Sequence, residues 1–508
     1  MPGPRGCRDV APLASAEGVL ASGRVGVCYV PDSKGSIDVS QPQQANRVRA
    51  GLDHPVIDAD GHLIEFLPAL RDHLIDVGGR QLSDAFDQVM NVEALVGGLD
   101  VAQRRSQGLF KMSWWAFPSR NSMDRATGML PRLLYERLDE IGVDFAVVYP
   151  TLGLMPLSLD APELRCGLAR AINRYNAELF ADHRDRLEPV AVIPMHEPAE
   201  AIEELEYCTR DLGFKAAVLA GLVLRPLGEN LPRAARWLDT FGAESPYDYD
   251  PVWAKCVELG IAPTFHSSAM GWGSRISQKN YMANHVGNFA AAGEATCRSL
   301  FFHGVPRRFP ELRCAFLEGG VSWGCGLYAD LIGHWQKRGA EGVRHYDPAK
   351  LDRALVAKLF ASHGSDRYKK HMDELDAGLR VLCEPGPVVD EFEAAGITSA
   401  EDIRDVFVRN FHFGCEADDP ANAGAFDSRR NPLGARLPAI FSSDIGHWDV
   451  LEMRGVLHEA WELVEDGLLT RDDFRDFTFG NAARMWAGAN PRFFEGTSVD
   501  SAVAALLA

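Results

Sequence analysis

The chain has 508 residues, 46% of them hydrophobic and 24% charged, with a formal net charge of -19 and an isoelectric point of about 5.3. That composition can fill a large core, and the acidic balance argues against nucleic acid or an anionic membrane as a partner. No apolar run is long enough to span a bilayer, and the N-terminal stretch MPGPRGCRDVAPLASAEGVL lacks the continuous apolar segment of a secretory signal.

Residues 1–50 are rich in Gly, Pro, Ser and Gln and show no periodicity, so they read as an N-terminal arm that docks on a partner subunit. A homo-oligomer is expected on that basis. Residues 51–508 then form the folded body. It contains eight short apolar runs bounded by turn residues: PVIDAD, DFAVVYPT, LEPVAVIPM, FKAAVLAG, APTFHSS, RCAFLEGG, FHFGCEA and AIFSSDI. Such runs suit strands buried on both faces, as in a parallel sheet.

Helical patterns lie between most of them. ELRCGLARAINRYNAELFADHRDRL follows the second run and EPAEAIEELEYCTRDLG the third. DPVWAKCVELG, which precedes the fifth, ends at Gly260, and VLEMRGVLHEAWELVEDG follows the eighth. A last helix, TRDDFRDFTFGNAARMWAG, begins with Thr470 three residues before Asp473, a capping pattern.

Eight such alternations predict an α/β chain folded as a (β/α)8 TIM barrel. The competing fold is an open doubly wound sheet, but no G-x-G-x-x-G follows the first run. Two spacings exceed plain barrel units and read as insertions, around 66–140 and 335–405. The ten cysteines are scattered without a C-x-x-C pair, which signals no structural zinc site and fits a reducing cytoplasm.

The polar residues at the strand ends carry the chemistry. The first run ends in Asp60 and His62, the fifth in His266, the sixth in Glu318 and the eighth in Asp444. In a barrel these ends meet at one rim. Two carboxylates and two imidazoles around one point make a site for one divalent cation, which offsets the cost of burying the carboxylates. Asp60, His62, His266 and Asp444 are the expected ligands, with Asp58 behind them. Taken singly, Asp60 could be a turn former, His62 a helix cap and His266 a core histidine. Zinc suits the donor set best, and manganese also fits.

These residues resemble the amidohydrolase-related family of the amidohydrolase superfamily, the group that includes aminocarboxymuconate semialdehyde decarboxylase. The resemblance runs from about Val56 to Phe493 and rests on DADGH, PTFHSS, FSSDIGH and FTFGNAARMW. Family members commonly open with D-x-H-x-H. Here Asp60 stands at the first of those histidines and His62 at the second. The resemblance implies His266 and Asp444 as the strand-five and strand-eight ligands. Where the muconate decarboxylase has a histidine in an HGG segment acting as general base, this chain has Glu318 in LEGG.

The expected activity is hydrolysis of a small aromatic or carboxylated molecule by cation-activated water, with Asp444, Glu318 and His266 as catalytic residues. The alternative is non-oxidative decarboxylation of an aromatic or enoic acid. A catalytically inactive barrel serving as a binding subunit is a further alternative. Trp114, Trp115, Arg120, Asn121, Trp272 and Arg275 are candidates to hold a planar, acidic substrate. His447 and His196 are candidates to face the substrate or to support the ligands.

Overall fold

A computed structural model describes residues 44–90, 99–107, 109–112, 120–228, 235–242, 244–380 and 390–508. Each of the eight apolar runs forms a barrel strand: β1 Ile57–Leu63, β2 Phe145–Pro150, β3 Leu187–Ile193, β4 Ala216–Leu219, β5 Pro263–Phe265, β6 Cys314–Phe316, β7 Phe411–Glu416 and β8 Ala439–Ser442. They pair in parallel in that order. The last meets the first through the Asp444 N–H, which donates to the Asp60 carbonyl at 2.9 Å, and the His62 N–H, which donates to the Ile445 carbonyl at 2.9 Å. The (β/α)8 barrel is therefore the observed architecture.

The strands are apolar because both faces are covered. Every residue of β1, β2 and β3 is buried, with side chains inside the barrel and helices outside. Helix Pro162–Leu179 follows β2, Pro198–Arg210 follows β3, and Asp250–Leu259 stops at Gly260 ahead of β5. Thr470 and Asp473 make the expected reciprocal cap: the Thr470 hydroxyl accepts the Asp473 N–H and the Asp473 carboxylate accepts the Thr470 N–H.

Several details differ from the sequence expectation. An antiparallel hairpin, Val223–Pro226 with Arg236–Asp239, sits between β4 and β5. The helix after β8 begins only at Val456. The final helical pattern contains a wider turn over Asp476–Gly480, between Arg471–Arg475 and Asn481–Ala489. Helix Leu67–Val89 follows β1 and is interrupted at Gly78 and Gly79. Between β6 and β7 lie helices Ser322–Arg338, Arg353–His363, Asp366–Lys369, Leu375–Leu379 and Ala400–Arg409, among other short turns.

Most of the expected arm, residues 1–43, lies outside the described residues. Its last part forms helix Gln44–Ala50, and Arg49 pairs with Asp144 at 2.7 Å. Among the described residues no helix is long and apolar enough to cross a membrane. The seven described cysteines are all free.

Candidate active site

The strand ends converge. His62 Nε2 lies 3.4 Å from Asp60 Oδ1 and 3.4 Å from Asp444 Oδ1. His266 Nε2 lies 3.9 Å from Asp60 Oδ2 and 3.0 Å from Glu318 Oε2. His447 Nδ1 lies 2.7 Å from Asp444 Oδ1, and its ring stacks on His62 with centroids 3.9 Å apart. The donors around His62 fall into two overlapping groups, Asp60, His62 and His266, and His62, Glu318, Asp444 and His447, and Glu318 also belongs to a third with Glu416 and Asp449.

Local backbone geometry aims these groups. A bulge in β1 between Asp58 and Gly61 re-aims Asp60 and His62 against β2. Glu318 and Asp444 leave their strands with φ of 55° and 51°, a left-handed conformation uncommon for non-glycine residues and concentrated at functional sites. Gly446 has φ 100°, and a Cβ there would come within 2.9 Å of the His62 carbonyl oxygen. Only glycine lets the loop after β8 lie this close to β1. Asp58 stands behind the cluster, accepting the Ser443 N–H at 2.9 Å and hydroxyl at 2.5 Å and the Asp60 N–H at 3.2 Å.

The electrostatics are those of a site that lacks positive charge. Burial, together with Glu318 and Asp58, raises the Asp60 carboxyl well above its ordinary range despite the opposing His266. Burial, Glu318 and Asp449 do the same to Asp444, and burial and Asp449 to Glu318. Burial lowers His62, His266 and His447, the last to about 3. Asp58 is pushed up to about 6 by burial, against the hydrogen bonds from Ser443 and Asp60.

These donors fit a divalent cation. Asp444 Oδ1 and Glu318 Oε2 face the imidazoles of His447 and His266, whereas both carboxylate oxygens of Asp60 and Nε2 of His62 are buried without a hydrogen bond. Buried polar groups are rarely left so. Ligand atoms bound to zinc at ~2.0–2.2 Å in a tetrahedron stand ~3.3–3.6 Å apart, close to the separations between His62 and the two aspartates.

Other sequence candidates go elsewhere. Trp114 and Trp115 lie outside the described residues, and Arg120 is exposed. Asn121 caps helix Ser122–Thr127 by accepting the Asp124 N–H, and its amide donates to Glu452. Trp272 donates to the Ser268 carbonyl, and Arg275 donates to the carbonyls of Val286 and Gly287. His196 lies three residues after β3, in surroundings of Arg165, Arg225 and Asp160, where burial lowers it to about 4.

A row of aromatic rings that the sequence reading passed over flanks the cluster. Phe289 sets its ring at 84° to His266, with centroids 4.9 Å apart. His285 meets Phe289 at 5.9 Å and Trp448 at 5.5 Å, and Tyr281 meets Trp448 at 6.3 Å. All four are half-buried, as expected at the edge of a cavity. Burial and the nearby charges of Glu318, Asp449 and Asp444 raise the Tyr281 hydroxyl. The spacing of residues 281 and 285 places them on one helical face, whereas Phe289 belongs to the next helix, Asn288–Phe302, after a break at Val286 and Gly287.

The fold and the convergence of these side chains at the C-terminal rim define a (β/α)8-barrel enzyme. The chain belongs to the amidohydrolase family, whose sequence profile matches residues 57–368. It is 26% identical over 193 residues to a 2-amino-3-carboxymuconate-6-semialdehyde decarboxylase of Dictyostelium discoideum, covering 38% of this chain and 48% of that protein. It is 30% identical over 125 residues to a gamma-resorcylate decarboxylase of Rhizobium sp., covering 22% of this chain and 34% of that protein. The chain thus spans about half or less of the curated relatives it matches. A crystal structure of an amidohydrolase from Mycobacterium avium subsp. paratuberculosis superposes with a TM-score of 0.50 at 16% identity, over 86% of this chain and all of that one. That likeness concerns the fold.

Proposed function

We propose that the body of the chain, residues 51–508, is a non-oxidative decarboxylase of an aromatic or enoic carboxylic acid, working with one divalent cation. The observation that carries this reading is the convergence of buried donors from Asp60, His62, His266 and Asp444 at the barrel rim, with Asp60 and His62 Nε2 left without hydrogen bonds. The decarboxylase names of the relatives favour this alternative over the hydrolase first expected. The neighbouring aromatic row of Phe289, His285, Tyr281 and Trp448 also suits a planar substrate. An inactive binding barrel would not need to retain such a costly donor set.

Asp60, His62, His266 and Asp444 would hold the cation, which supplies a Lewis acid for the substrate's carboxylate and a neighbouring oxygen. Zinc suits two carboxylates and two imidazoles, as does manganese. The protein's own part is proton delivery and exclusion of water. Burial and Asp449 raise the Glu318 carboxyl above its ordinary range, which favours its acid form, and it gives that proton to the carbon bearing the carboxylate. The C–C bond then breaks, its electrons restore the ring or ene system, and carbon dioxide leaves. Glu318 regains a proton from solvent. His447, between Asp444 and Thr151, fixes the orientation of the Asp444 carboxylate.

The test is incubation of zinc- or manganese-loaded protein in deuterium oxide with ortho-hydroxybenzoates and with cis,cis-muconate. Release of carbon dioxide, with deuterium at the vacated carbon, is the expected result. Hydrolysis of ester or amide analogues, with solvent oxygen in the acyl product and no carbon dioxide from any acid, would restore the hydrolase reading.

A further inference from the structure

Beside the aromatic row the site is walled by carboxylates. Glu318, Glu416 and Asp449 bring carboxylate oxygens within 4.8 Å of one another. They arrive from just after β6, from the end of β7 and from the loop after β8. Asp449 faces Asp444, itself a carboxyl, and its Oδ1 is buried without a hydrogen bond. Asp449, Glu318, Asp418 and Asp419 all bear on Glu416, and with burial they raise it to about 8. Glu318 and Glu416 bear in turn on Asp60. A divalent cation supplies two positive charges against Asp60, Asp444, Glu318, Glu416 and Asp449, and like charges left together in a buried site are costly. The arginines that residue type suggested do not make up the difference: Arg120 is exposed, and Arg275 donates to the carbonyls of Val286 and Gly287. Burial lowers His285 despite Asp449, and lowers His447, so both imidazoles favour the neutral form.

The same wall carries aromatic rings. Asp449 bears on Tyr281 and on His285. Trp448, its neighbour in the chain, meets both of those rings, and Phe289 continues the row to His266. Carboxylates set beside aromatic rings are the pairing that recognises an organic ammonium, by Coulomb attraction and by the cation–π interaction. A hydrated metal ion would use the carboxylates and leave the rings without a role. Resting on the decarboxylase reading of this site, we propose that the substrate is zwitterionic: an aromatic or enoic acid whose carboxylate goes to the cation and whose ammonium lies against Glu416 and Asp449, beside the rings of Trp448 and Tyr281. The nitrogen is alkyl or benzylic, since an aniline nitrogen is neutral at physiological pH.

Zinc-loaded wild-type protein is titrated by calorimetry with meta- and para-(aminomethyl)benzoate and with the matching neutral hydroxymethyl compounds. At least one ammonium compound should bind at least ~10-fold more tightly than its neutral isostere. Excess isostere should displace it competitively. Glu416→Gln with Asp449→Asn should bring the two affinities to within about 3-fold of each other, with metal content and the affinity for the isostere unchanged. Equal or weaker binding of both ammonium compounds, displacement that is not competitive, or a variant that keeps the preference overturns the proposal. Should the variant misfold, the wild-type comparison and the competition decide. Binding is read here independently of turnover. Carbon dioxide release without an ammonium preference overturns the zwitterion alone, whereas the preference without carbon dioxide release upholds it and counts against the decarboxylase reading.

Discussion

The N–H of Asp444 donates to the carbonyl of Asp60 at 2.9 Å, so the barrel closes at two of its own buried carboxylates. The contact that completes the fold is thereby made by the backbone of the candidate ligands, and their side chains are left for chemistry. This separation makes substitutions at Asp444 interpretable.

Asp444→Asn keeps that backbone bond, and asparagine tolerates the left-handed φ of 51°. Cation affinity should fall by at least ~10²-fold, more than supporting residues cost. The melting temperature of the metal-free protein should not fall, because a costly buried carboxyl is removed. Metal analysis after dialysis and a thermal melt check both parts. Full metal content in Asp444→Asn or in His266→Ala would exclude that residue as a ligand.

Glu318 separates proton transfer from cation binding. Its side chain is 4% exposed and faces His266 at 3.0 Å. Glu318→Gln preserves shape but removes the proton, so kcat should fall by ~10²–10⁴-fold while the cation stays bound. A variant with wild-type kcat would assign the proton to Asp444 instead.

Trp448 tests the aromatic row, since its ring meets both His285 and Tyr281. Trp448→Leu removes a stacking partner worth ~1 kcal/mol, so KM for a planar aromatic acid should rise about 5- to 10-fold. Metal content should not change. An equal loss for cyclohexanecarboxylate binding, measured by calorimetry, would show that shape and not the flat ring is being read.

Glu65 offers a pH test away from the ligands. Its carboxylate accepts the N–H groups of Leu152 and Gly153 at 2.9 and 2.8 Å, yet burial pushes its pKa from 4.5 up to about 7. The folded state holds this proton more tightly than the unfolded state. The stability it contributes is therefore fully present below about pH 4.5 and is lost as pH rises through about 7, a change of about 3 kcal/mol. Thermal melts across that range should show wild type losing stability relative to Glu65→Gln. Parallel curves would remove Glu65 as the cause.

All eight barrel strands were legible from the sequence. A strand covered on both faces must be apolar throughout, so its charged residues stand out, and in a parallel barrel strand ends share one rim. Asp60, His62, His266, Glu318 and Asp444 could be picked on those grounds alone. The two overlapping donor groups could not, because they depend on a bulge in β1 and on positive φ at Glu318 and Asp444, which follow from barrel closure and not from local propensity. Arg275 and Asn121 looked like substrate clamps by residue type, yet Arg275 is engaged by backbone carbonyls 11 and 12 residues on and Asn121 by the backbone N–H three residues on. The pairing of Tyr281 with His285 was legible as a four-residue spacing, but Phe289 joins them only across the helix break at Val286 and Gly287. The contact of that pair with Trp448, more than 150 residues distant, was not legible. Residue type and period determine which groups are costly to bury; which of them meet is decided by the closed barrel, since only the tertiary fold brings remote loops within ångströms of one another.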